Sequence, residues 1–324
     1  EGCQCGGSRS YTVHTGSQFA YFIGYIFDIL RGSDAGNGIS AAVIAGRLGC
    51  KVALINDRPI IGGNNSSEIR VHLGGRINEG KYKNLGNLLK EFGPTKGGNA
   101  QAAAIYEDRK KMDWLAQEKN VTLYANYRVI KVTKNGSKVS SVIAKHIETG
   151  KELEFKAPLF SDCTGDGTVG YLAGADYRMG REGKKEFNEN IAPEKADKMT
   201  MGSSVQWYSV DNKRSCRFPE FDYGIHFTEQ NCAKVINGEW TWETGMNLNQ
   251  ITDFERIRDY GMLVVYSNWS FLKNRLKENS RYKNRKLGWV AYIAGKRESR
   301  RLTGDYILKE ADLMKKIYHE DASF

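Results

Sequence analysis

A strand, a turn of small residues, a helix and a second strand follow one another between residues 25 and 56, and this order constrains the fold more than any other feature. Residues 25–30 are apolar and predict a strand, which the octapeptide RGSDAGNG follows as a turn. Residues 39–48 predict a helix that ends at Gly49, since glycine is common just past a helix C-terminus. Residues 51–56 predict the next strand. Two strands joined through a helix are parallel neighbours, so the pattern predicts an α/β fold.

The segment after the second strand is crowded with residues of little bulk. They run consecutively as Gly62, Gly63, Asn64, Asn65, Ser66 and Ser67. A loop that only reverses the chain needs one or two such residues, whereas a loop that lets a flat polar ligand lie against its backbone needs several. The run therefore predicts a loop that contacts a ligand.

The middle of the chain predicts a β-meander. Four short stretches follow a helix predicted at 108–119, and they are residues 122–124, 128–133, 139–146 and 152–155. Asn-Gly and Thr-Gly turns separate the last three stretches, and Asn-Gly is a strong hairpin signal. The apolar stretch 158–163 predicts a further strand before the sequence TGDGTVGYLAGADYRMG. Beyond residue 181 aromatic residues are dense, and residues 253–260 and 271–277 predict helices.

Charge and cysteine content narrow the function classes. The formal net charge of +10 comes from scattered cations, many of them interleaved with acids or aromatic residues, so nucleic acid is not favoured as a partner. None of the six cysteines has metal-ligand spacing, and no metal site is predicted. The apolar run at 19–30 has twelve residues, too few to span a membrane. A periplasmic, secreted or cytoplasmic location stays open.

The turn before the first helix is a degenerate dinucleotide fingerprint. The three positions of a G-x-G-x-x-G motif fall on Ser33, Ala35 and Gly38, with Gly32 and Gly36 beside them. Such a turn presents backbone N–H groups to a pyrophosphate at the start of the helix. A plain βαβ turn explains the same residues, and both interpretations stay open.

The end of the second strand carries the other half of a dinucleotide signature. An acidic residue there normally accepts hydrogen bonds from the ribose hydroxyls. The position holds Asn56, with Asp57 next to it. Both are candidates, and only Asp57 offers a charge-assisted hydrogen bond.

Three separated motifs together resemble one protein family. They are residues 56–75, the stretch DCTGDGTVGYLAGADYRMG at 162–180 and the stretch GKRESRRLTGDYILKEADL at 295–313. In this order they are similar to the FAD-dependent oxidoreductases of the glutathione-reductase-like flavoprotein superfamily, and most of all to an uncharacterised bacterial group common in Bacteroidetes. The resemblance extends from about residue 28 to the end of the chain.

The resemblance implies an α/β architecture: a Rossmann-like FAD-binding domain with a parallel sheet and a β-meander, plus an inserted aromatic-rich α+β substrate or cap domain. It divides the chain into an irregular arm at 1–24, the FAD-binding domain at 25–180, the inserted domain at 181–290 and a return to the FAD-binding domain at 291–324. The family's closing C-terminal strand-turn-helix has no counterpart in this sequence. Two expectations stay open: the chain is truncated before this element, or FAD binding is weakened or lost.

The cofactor contacts that the resemblance implies fall on the glycine turn, on the second strand with its loop, and on the TGD turn. They are Gly32, Ser33, Ala35, Gly36, Gly38, Asn56, Asp57, Arg58, Gly62, Gly63, Asn64, Val129, Thr164, Gly165 and Asp166. The small-residue loop would run beneath the flavin ring, and Val129 would meet the adenine through its backbone.

Glu68, Arg70 and His72 alternate in the sequence EIRVH, and a strand would place all three side chains on one face. Beside the flavin loop, such a face would anchor an anionic or polyhydroxy substrate through Arg70. His72 would move the proton that leaves the substrate during oxidation. A surface strand with an Arg–Glu pair explains the same residues.

Five further residues are weaker substrate candidates: His226, Trp240, Trp242, Arg297 and Arg300. His226 is a second base candidate, and the two tryptophans could stack a sugar ring. The arginines, with Arg301, suit phosphate or carboxylate recognition. Each also has a structural explanation, as a core residue or as a member of a salt bridge.

The function predicted from these features is an FAD-dependent oxidoreductase that takes hydride from a small polar substrate, with a sugar or glycoside as the candidate. One alternative is a non-catalytic carbohydrate-binding or structural remnant on a flavoprotein scaffold, which the degenerate glycine turn favours. Another is an RNA-modifying flavoprotein, which the net charge of +10 favours. The oligomeric state stays open.

Overall fold

The computed structural model describes residues 11–12, 37–73 and 86–317. The strands are β1 (Tyr11–Thr12), β2 (Val52–Asn56), β3 (Val121–Ala125), β4 (Tyr127–Asn135), β5 (Lys138–His146), β6 (Glu152–Lys156), β7 (Tyr177–Arg178), β8 (Trp207–Asp211), β9 (Asn237–Gly238), β10 (Arg285–Val290) and β11 (Arg301–Leu302). The helices are α1 (Asn37–Arg47), α2 (Asn87–Phe92), α3 (Asp108–Leu115), α4 (Thr168–Leu172), α5 (Lys184–Phe187), α6 (Phe254–Asn274), α7 (Ser280–Lys283) and α8 (Glu310–Met314). Short 3-10 turns lie at Gly63–Asn65 and Ala103–Tyr106.

Helix α1 and strand β2 form the predicted helix-strand unit, and the α/β fold class is confirmed. All five residues of β2 are buried. Val52 and Leu54 pack with α1, whereas Ala53 and Ile55 pack with the meander strands, so both faces of β2 are covered. Burial on both faces explains the unbroken apolar run of this strand. The strand predicted at 25–30 lies outside the described residues.

The predicted meander is confirmed in its last three strands. β4, β5 and β6 pair antiparallel, and the sheet order is β1-β6-β5-β4. Gly136 has φ +60° in the turn between β4 and β5, a conformation that glycine adopts readily. The stretch 122–124 was expected in this meander, but β3 instead pairs in parallel with β2, with Val52 opposite Val121.

The strand predicted at 158–163 is wrong, because the structure has no strand there. Leu159 is 58% exposed, so the apolar composition of this stretch does not reflect burial in a sheet. The stretch instead leads directly into the turn at residues 164–167, which precedes α4.

The aromatic-rich part of the chain has its own hydrophobic cluster. Strands β8 and β10 pair antiparallel, and β9 adds to the edge of β8. The cluster includes Trp207 and Trp269, whose ring centroids are 5.5 Å apart, together with Leu272 and Tyr282. Whether this part forms an inserted domain bounded at 181 and 290 stays a prediction.

Helix α6 is one continuous helix of 21 residues, and the separation into two helices at 253–260 and 271–277 is wrong. The polar residues in the middle of α6 interrupt the apolar periodicity by which a continuous helix is predicted from sequence. Asn268 accepts a hydrogen bond from the Ala233 backbone N–H at 2.9 Å, and Ser270 donates to the Pro219 carbonyl at 2.8 Å. These side chains are buried because they hold the loops that cover the helix. Within residues 37–73 and 86–317, no helix combines the length and hydropathy needed to cross a membrane.

Candidate functional site

A cavity of 440 Å³ lies where the end of β2, the turn before α4 and the segment after β10 meet. Its lining is Asp57, Arg58, Arg128, Thr164, Asp166, Thr168, Ile251, Thr252, Phe254, Glu255, Ile293, Lys296 and Arg300. Asp57, Arg58, Thr164, Asp166 and Arg300 are among the residues predicted from sequence. The cavity therefore brings together residues from three of the regions that the sequence marked for ligand binding.

The end of β2 presents one side chain to this cavity and turns the other away. Asn56 donates through Nδ2 to the carbonyls of Arg58 at 2.8 Å and Ile60 at 2.9 Å, so it fixes the loop. Asp57 is only 3% exposed, and both hydrogen bonds from Arg128 reach its Oδ2, at 3.1 and 3.0 Å. Burial raises the pKa of Asp57, and the charge of Arg128 only partly opposes this. Its Oδ1 atom keeps no hydrogen bond to any described residue.

The turn before α4 is held in place by Asp162. Its Oδ1 accepts hydrogen bonds from the Thr164 backbone N–H at 3.0 Å and the Thr164 hydroxyl at 2.7 Å. Its Oδ2 accepts from the Gly170 N–H at 2.9 Å. The Thr164 hydroxyl in turn accepts from the Thr168 N–H at 2.8 Å, and Gly165 has φ +70°. The turn is therefore held by side chains that the sequence DCTGDG itself supplies.

The segment after β10 closes over this turn with cationic side chains. The Lys296 ammonium lies 2.8 and 2.9 Å from the two carboxylate oxygens of Asp166, and 4.5 Å from the centre of the Phe254 ring. Burial lowers the pKa of Lys296, against the opposing charge of Asp166. Arg300 donates to the Asp166 carbonyl at 3.2 Å and stacks 3.9 Å over Tyr171. The cavity wall is thus rich in hydrogen-bond donors.

The small-residue loop has an internal reason for its lack of bulk. Lys111 is fully buried beneath it and donates through Nζ to the carbonyl of Asn65. Gly62 has φ +115°, and a Cβ atom there would lie 2.6 Å from the Asn65 oxygen and 3.0 Å from the Lys111 Nζ. None of Gly62, Gly63 or Asn64 lines the cavity, although Asn64 donates to the Lys296 carbonyl at 3.3 Å. Contact of this loop with a flavin stays a prediction.

The predicted strand at 68–72 is wrong, and so is the shared face of Glu68, Arg70 and His72. The Arg70 N–H bonds the Ser66 carbonyl at 2.8 Å, and φ at Arg70 is +72°, so the chain turns there. Glu68 accepts from Arg58 Nε at 2.9 Å and from the hydroxyl of Tyr292 at 2.7 Å, whereas His72 is exposed. The chemical roles of the three side chains stay predictions.

Of the remaining candidates that the structure describes, Arg300 lines the cavity and the others do not. Val129 is buried in the meander core, and Gly38 is buried in the first turn of α1. The Trp242 ring lies 6.0 Å from that of Phe227, within the third hydrophobic cluster.

Arg297, Trp240 and His226 each lie in a different setting from the cavity. The guanidinium of Arg297 pairs with Glu243 and lies 5.2 Å over the ring of Trp240. His226 is exposed on a separate groove of 70 Å³. Gly32, Ser33, Ala35 and Gly36 lie outside the described residues.

Sequence reasoning missed Arg128, Thr168, Phe254 and Lys296 as lining residues. Arg128 is adjacent to the predicted Val129, and Lys296 begins the basic run KRESRR. The basic run was a usable signal for Lys296, because a basic segment that packs against the turn containing Asp166 can form an ion pair with it. No local pattern marks Phe254, which reaches the cavity from the start of α6.

Residues 31–322 match a protein family model described as FAD dependent oxidoreductase. No curated protein matches the chain. Among solved structures the chain is similar to THI4 of Thermovibrio ammonificans, at 17% identity and a TM-score of 0.34, over 55% of this chain and 75% of that one. It is similar to the myxobacterial FAD-dependent halogenase CndH at 14% identity and a TM-score of 0.35, over 62% of this chain and 45% of that one.

A third similar structure is glycerol-3-phosphate dehydrogenase from Bacillus halodurans, complexed with FAD, at 13% identity and a TM-score of 0.36. The match covers 61% of this chain and 41% of that one, so this chain spans less than half of the halogenase and of the dehydrogenase. All three likenesses are distant.

Proposed function

The chain belongs to the FAD-dependent oxidoreductase family, and from that premise we propose that the cavity bounded by Asp57, Thr164 and Lys296 holds part of the FAD of an enzyme that oxidises a small polar substrate. FAD is the cofactor of this family, and when bound it accepts a hydride equivalent from the substrate. The observation that carries the proposal is the meeting of the β2 end, the TGD turn and the basic segment in one cavity.

The donor set of the cavity fits a dinucleotide. A volume of 440 Å³ is within the range of small-molecule sites. Its lining has four cationic side chains and three acidic ones, and the acids are Asp57, Asp166 and Glu255. Arg300 has no carboxylate partner within the described part of the chain, so it can face a phosphate oxygen without losing an ion pair. Such an excess of positive charge suits a pyrophosphate.

Asp57 is the residue best placed to hold a ribose. It follows the last residue of a parallel strand, where dinucleotide folds place an acid against the ribose hydroxyls. Because Arg128 occupies only Oδ2, the Oδ1 atom is available as an acceptor. Arg128 thus orients the carboxylate without consuming both oxygens, which supports Asp57 over Asn56 in this role.

The substrate side is proposed to lie beyond the small-residue loop. We assign residues 25–180 and 291–324 to a Rossmann-like FAD-binding domain and residues 181–290 to the substrate side. A sugar substrate gains little support from Trp240 and Trp242, because Arg297 already lies over Trp240 and Trp242 packs in a hydrophobic cluster. His72 remains the candidate for proton transfer, since it is exposed next to the loop.

The test is the visible absorption spectrum of the purified chain, before and after addition of FAD. A bound-flavin spectrum that is lost in an Asp57→Ala, Arg300→Ala double variant would support the cavity assignment. The same variants should leave the far-UV circular dichroism unchanged. A chain that takes up no FAD would contradict the proposal for these residues and favour the non-catalytic carbohydrate-binding or structural alternative. Salt-dependent RNA affinity would favour the RNA-modifying alternative.

A further inference from the structure

Arg70 has the backbone and the surroundings of a binding residue. Its φ is +72°, which is uncommon for a residue with a side chain, and such strained conformations cluster at functional sites. Arg70 as a whole residue is 7% exposed, and its guanidinium carbon lies 3.7 Å from the centre of the Trp289 ring and 5.8 Å from that of Tyr208. A planar cation stacked on two aromatic rings is held in one orientation.

The charge of Arg70 has no carboxylate partner among the residues that the structure describes. Its Nε donates to the Ser67 carbonyl at 2.7 Å and its Nη1 to the Gln101 carbonyl at 3.1 Å. Both acceptors are neutral. Arginine stays protonated in proteins, and a buried charge is costly unless an opposite charge accompanies it. An anionic ligand would supply the opposite charge.

Gln206, which contacts the same backbone N–H as the Arg70 carbonyl, has a side-chain donor without a partner among the described residues. Gln206 is fully buried, and its Oε1 accepts a hydrogen bond from the Ala100 N–H at 3.0 Å. Its Nε2 has no hydrogen-bond partner in the part of the chain that the structure describes. The amide is oriented with its oxygen toward Ala100, because the reverse orientation would place the amide N–H groups against the Ala100 N–H. An orphaned buried N–H group is rare and requires an explanation.

Ala100 connects Arg70 and Gln206 through its backbone N–H. The Ala100 N–H bonds both the Arg70 carbonyl, at 2.9 Å, and the Gln206 side chain. Ala100 itself has φ +49°, so two side-chain-bearing residues in uncommon backbone conformations are bonded to each other here. The hydroxyl of Tyr106 donates to the same Arg70 carbonyl at 2.7 Å. The backbone of the site is therefore rigid before any ligand binds.

We propose that Arg70 and Gln206 bind the carboxylate group of a small organic acid, and that this acid is the substrate class of the enzyme. The proposal rests on the oxidoreductase function proposed above. A guanidinium and a primary amide both offer planar N–H donors, and a carboxylate accepts on two oxygens in the same plane. Glu68, two residues before Arg70, pairs with Arg58 beside the cavity, so the segment joins the two sites.

Isothermal titration of the FAD-loaded protein tests the assignment. The probes are acetate, L-lactate and D-gluconate, each beside its neutral amide, together with inorganic phosphate. We expect saturable binding of at least one carboxylate and none of its amide. Arg70→Gln should weaken that binding about tenfold or more, since hydrogen bonds between charged groups are lost. Arg70→Lys, which keeps the charge but not the planar fork, should fall between wild type and Arg70→Gln.

Two further variants separate binding from a purely structural role. Gln206→Glu keeps an acceptor for the Ala100 N–H, but it removes the amide donor and adds a negative charge to the proposed site, so it should abolish probe binding. Arg281→Gln removes an exposed arginine of α7 and should bind the probes as wild type does. Equal binding by Arg70→Gln, no preference for carboxylates over amides, or binding of phosphate alone would overturn the proposal.

The readout is independent of flavin reduction. Heat of carboxylate binding in protein that takes up no FAD would support the anion site and refute the proposed function. Flavin uptake without any carboxylate binding would support the proposed function and refute the anion site.

Discussion

The ammonium of Lys296 lies 2.8 Å from a carboxylate oxygen of Asp166, and the two side chains are only 9% and 16% exposed. Ser299 donates to the same carboxylate at 2.6 Å. The contacts join residues that are 130 and 133 positions apart in the chain. They hold the basic segment after β10 against the turn before α4, and so they form one wall of the cavity.

Lys296→Met should lower the free energy of unfolding by about 3–5 kcal/mol, because it leaves the carboxylate of Asp166 buried without its cation. Urea denaturation measures this loss. The double variant Lys296→Met, Asp166→Asn removes both charges and should regain most of the stability, since no unpaired charge remains. If the double variant were as unstable as the single one, packing and not charge would explain the loss. FAD affinity should stay reduced in both variants.

Asp57→Asn should leave the protein as stable as wild type near neutral pH, or more stable. Burial raises the pKa of Asp57 above its ordinary value of 3.8. In the window between 3.8 and the raised value, the folded chain holds a proton that the unfolded chain has lost. Ionisation of Asp57 therefore costs stability as the pH rises through that window, and the cost stays constant above it. Asparagine avoids this cost.

The stability difference between Asp57→Asn and wild type should shrink as the pH falls through the same window, and urea denaturation at several pH values would show it. Asp57→Asn therefore tests whether the ionised Asp57 carboxylate raises or lowers the free energy of unfolding. A variant that is much less stable than wild type near neutral pH would show that the ion pair with Arg128 outweighs burial. The 61% exposure of the Arg128 side chain argues against that outcome, because water screens the pair.

The sequence was sufficient for elements whose residue pattern reports burial directly. Strand β2 is apolar throughout because both of its faces are covered, and the Asn-Gly turn marks the hairpin between β4 and β5. The stretch EIRVH shows the limit of this reasoning. It alternates as a strand does, but the left-handed backbone conformation at Arg70 turns the chain there. An arginine in a sequence gives no indication of such a conformation.

The site was predictable only where its residues belong to local motifs. Asp57 ends a strand, and Thr164 and Asp166 belong to a turn whose hydrogen bonds lie within nine residues of chain, from Asp162 to Gly170. Lys296 and Arg128 reach the cavity through contacts between distant segments, with Asp166 and Asp57 respectively. Only the folded chain shows which acid each cation meets.

Gly62→Ala should destabilise the protein by about 3 kcal/mol or more. At φ +115° a side chain is strained, and the new Cβ would also lie 2.6 Å from the Asn65 carbonyl oxygen. Gly136→Ala is the matched control, since φ there is +60° but, apart from the two chain neighbours, no described residue has an atom within 4 Å of the added Cβ. Its cost should be about 1 kcal/mol. Equal losses of unfolding free energy in urea would show that backbone strain alone accounts for Gly62.

Lys111→Met should destabilise the protein by about 3 kcal/mol, because it removes a buried cation from the acceptors that it bonds. Those acceptors are the carbonyl and the side-chain oxygen of Asn65 and the carboxylate of Asp108, which is 3.3 Å from the ammonium. Lys110→Met, one residue earlier on α3, removes a lysine whose side chain is 41% exposed and should cost at most about 1 kcal/mol.

The pH dependence separates the charge of Lys111 from its packing. Burial lowers the pKa of Lys111 below its ordinary value of 10.5, so in the window below 10.5 the unfolded chain holds a proton that the folded chain has lost. Wild-type stability therefore gains a component that rises with pH up to 10.5, and Lys111→Met should lack it whereas Lys110→Met should keep it. Parallel curves of unfolding free energy against pH for wild type and Lys111→Met would show that the lysine acts by its volume and not by its charge.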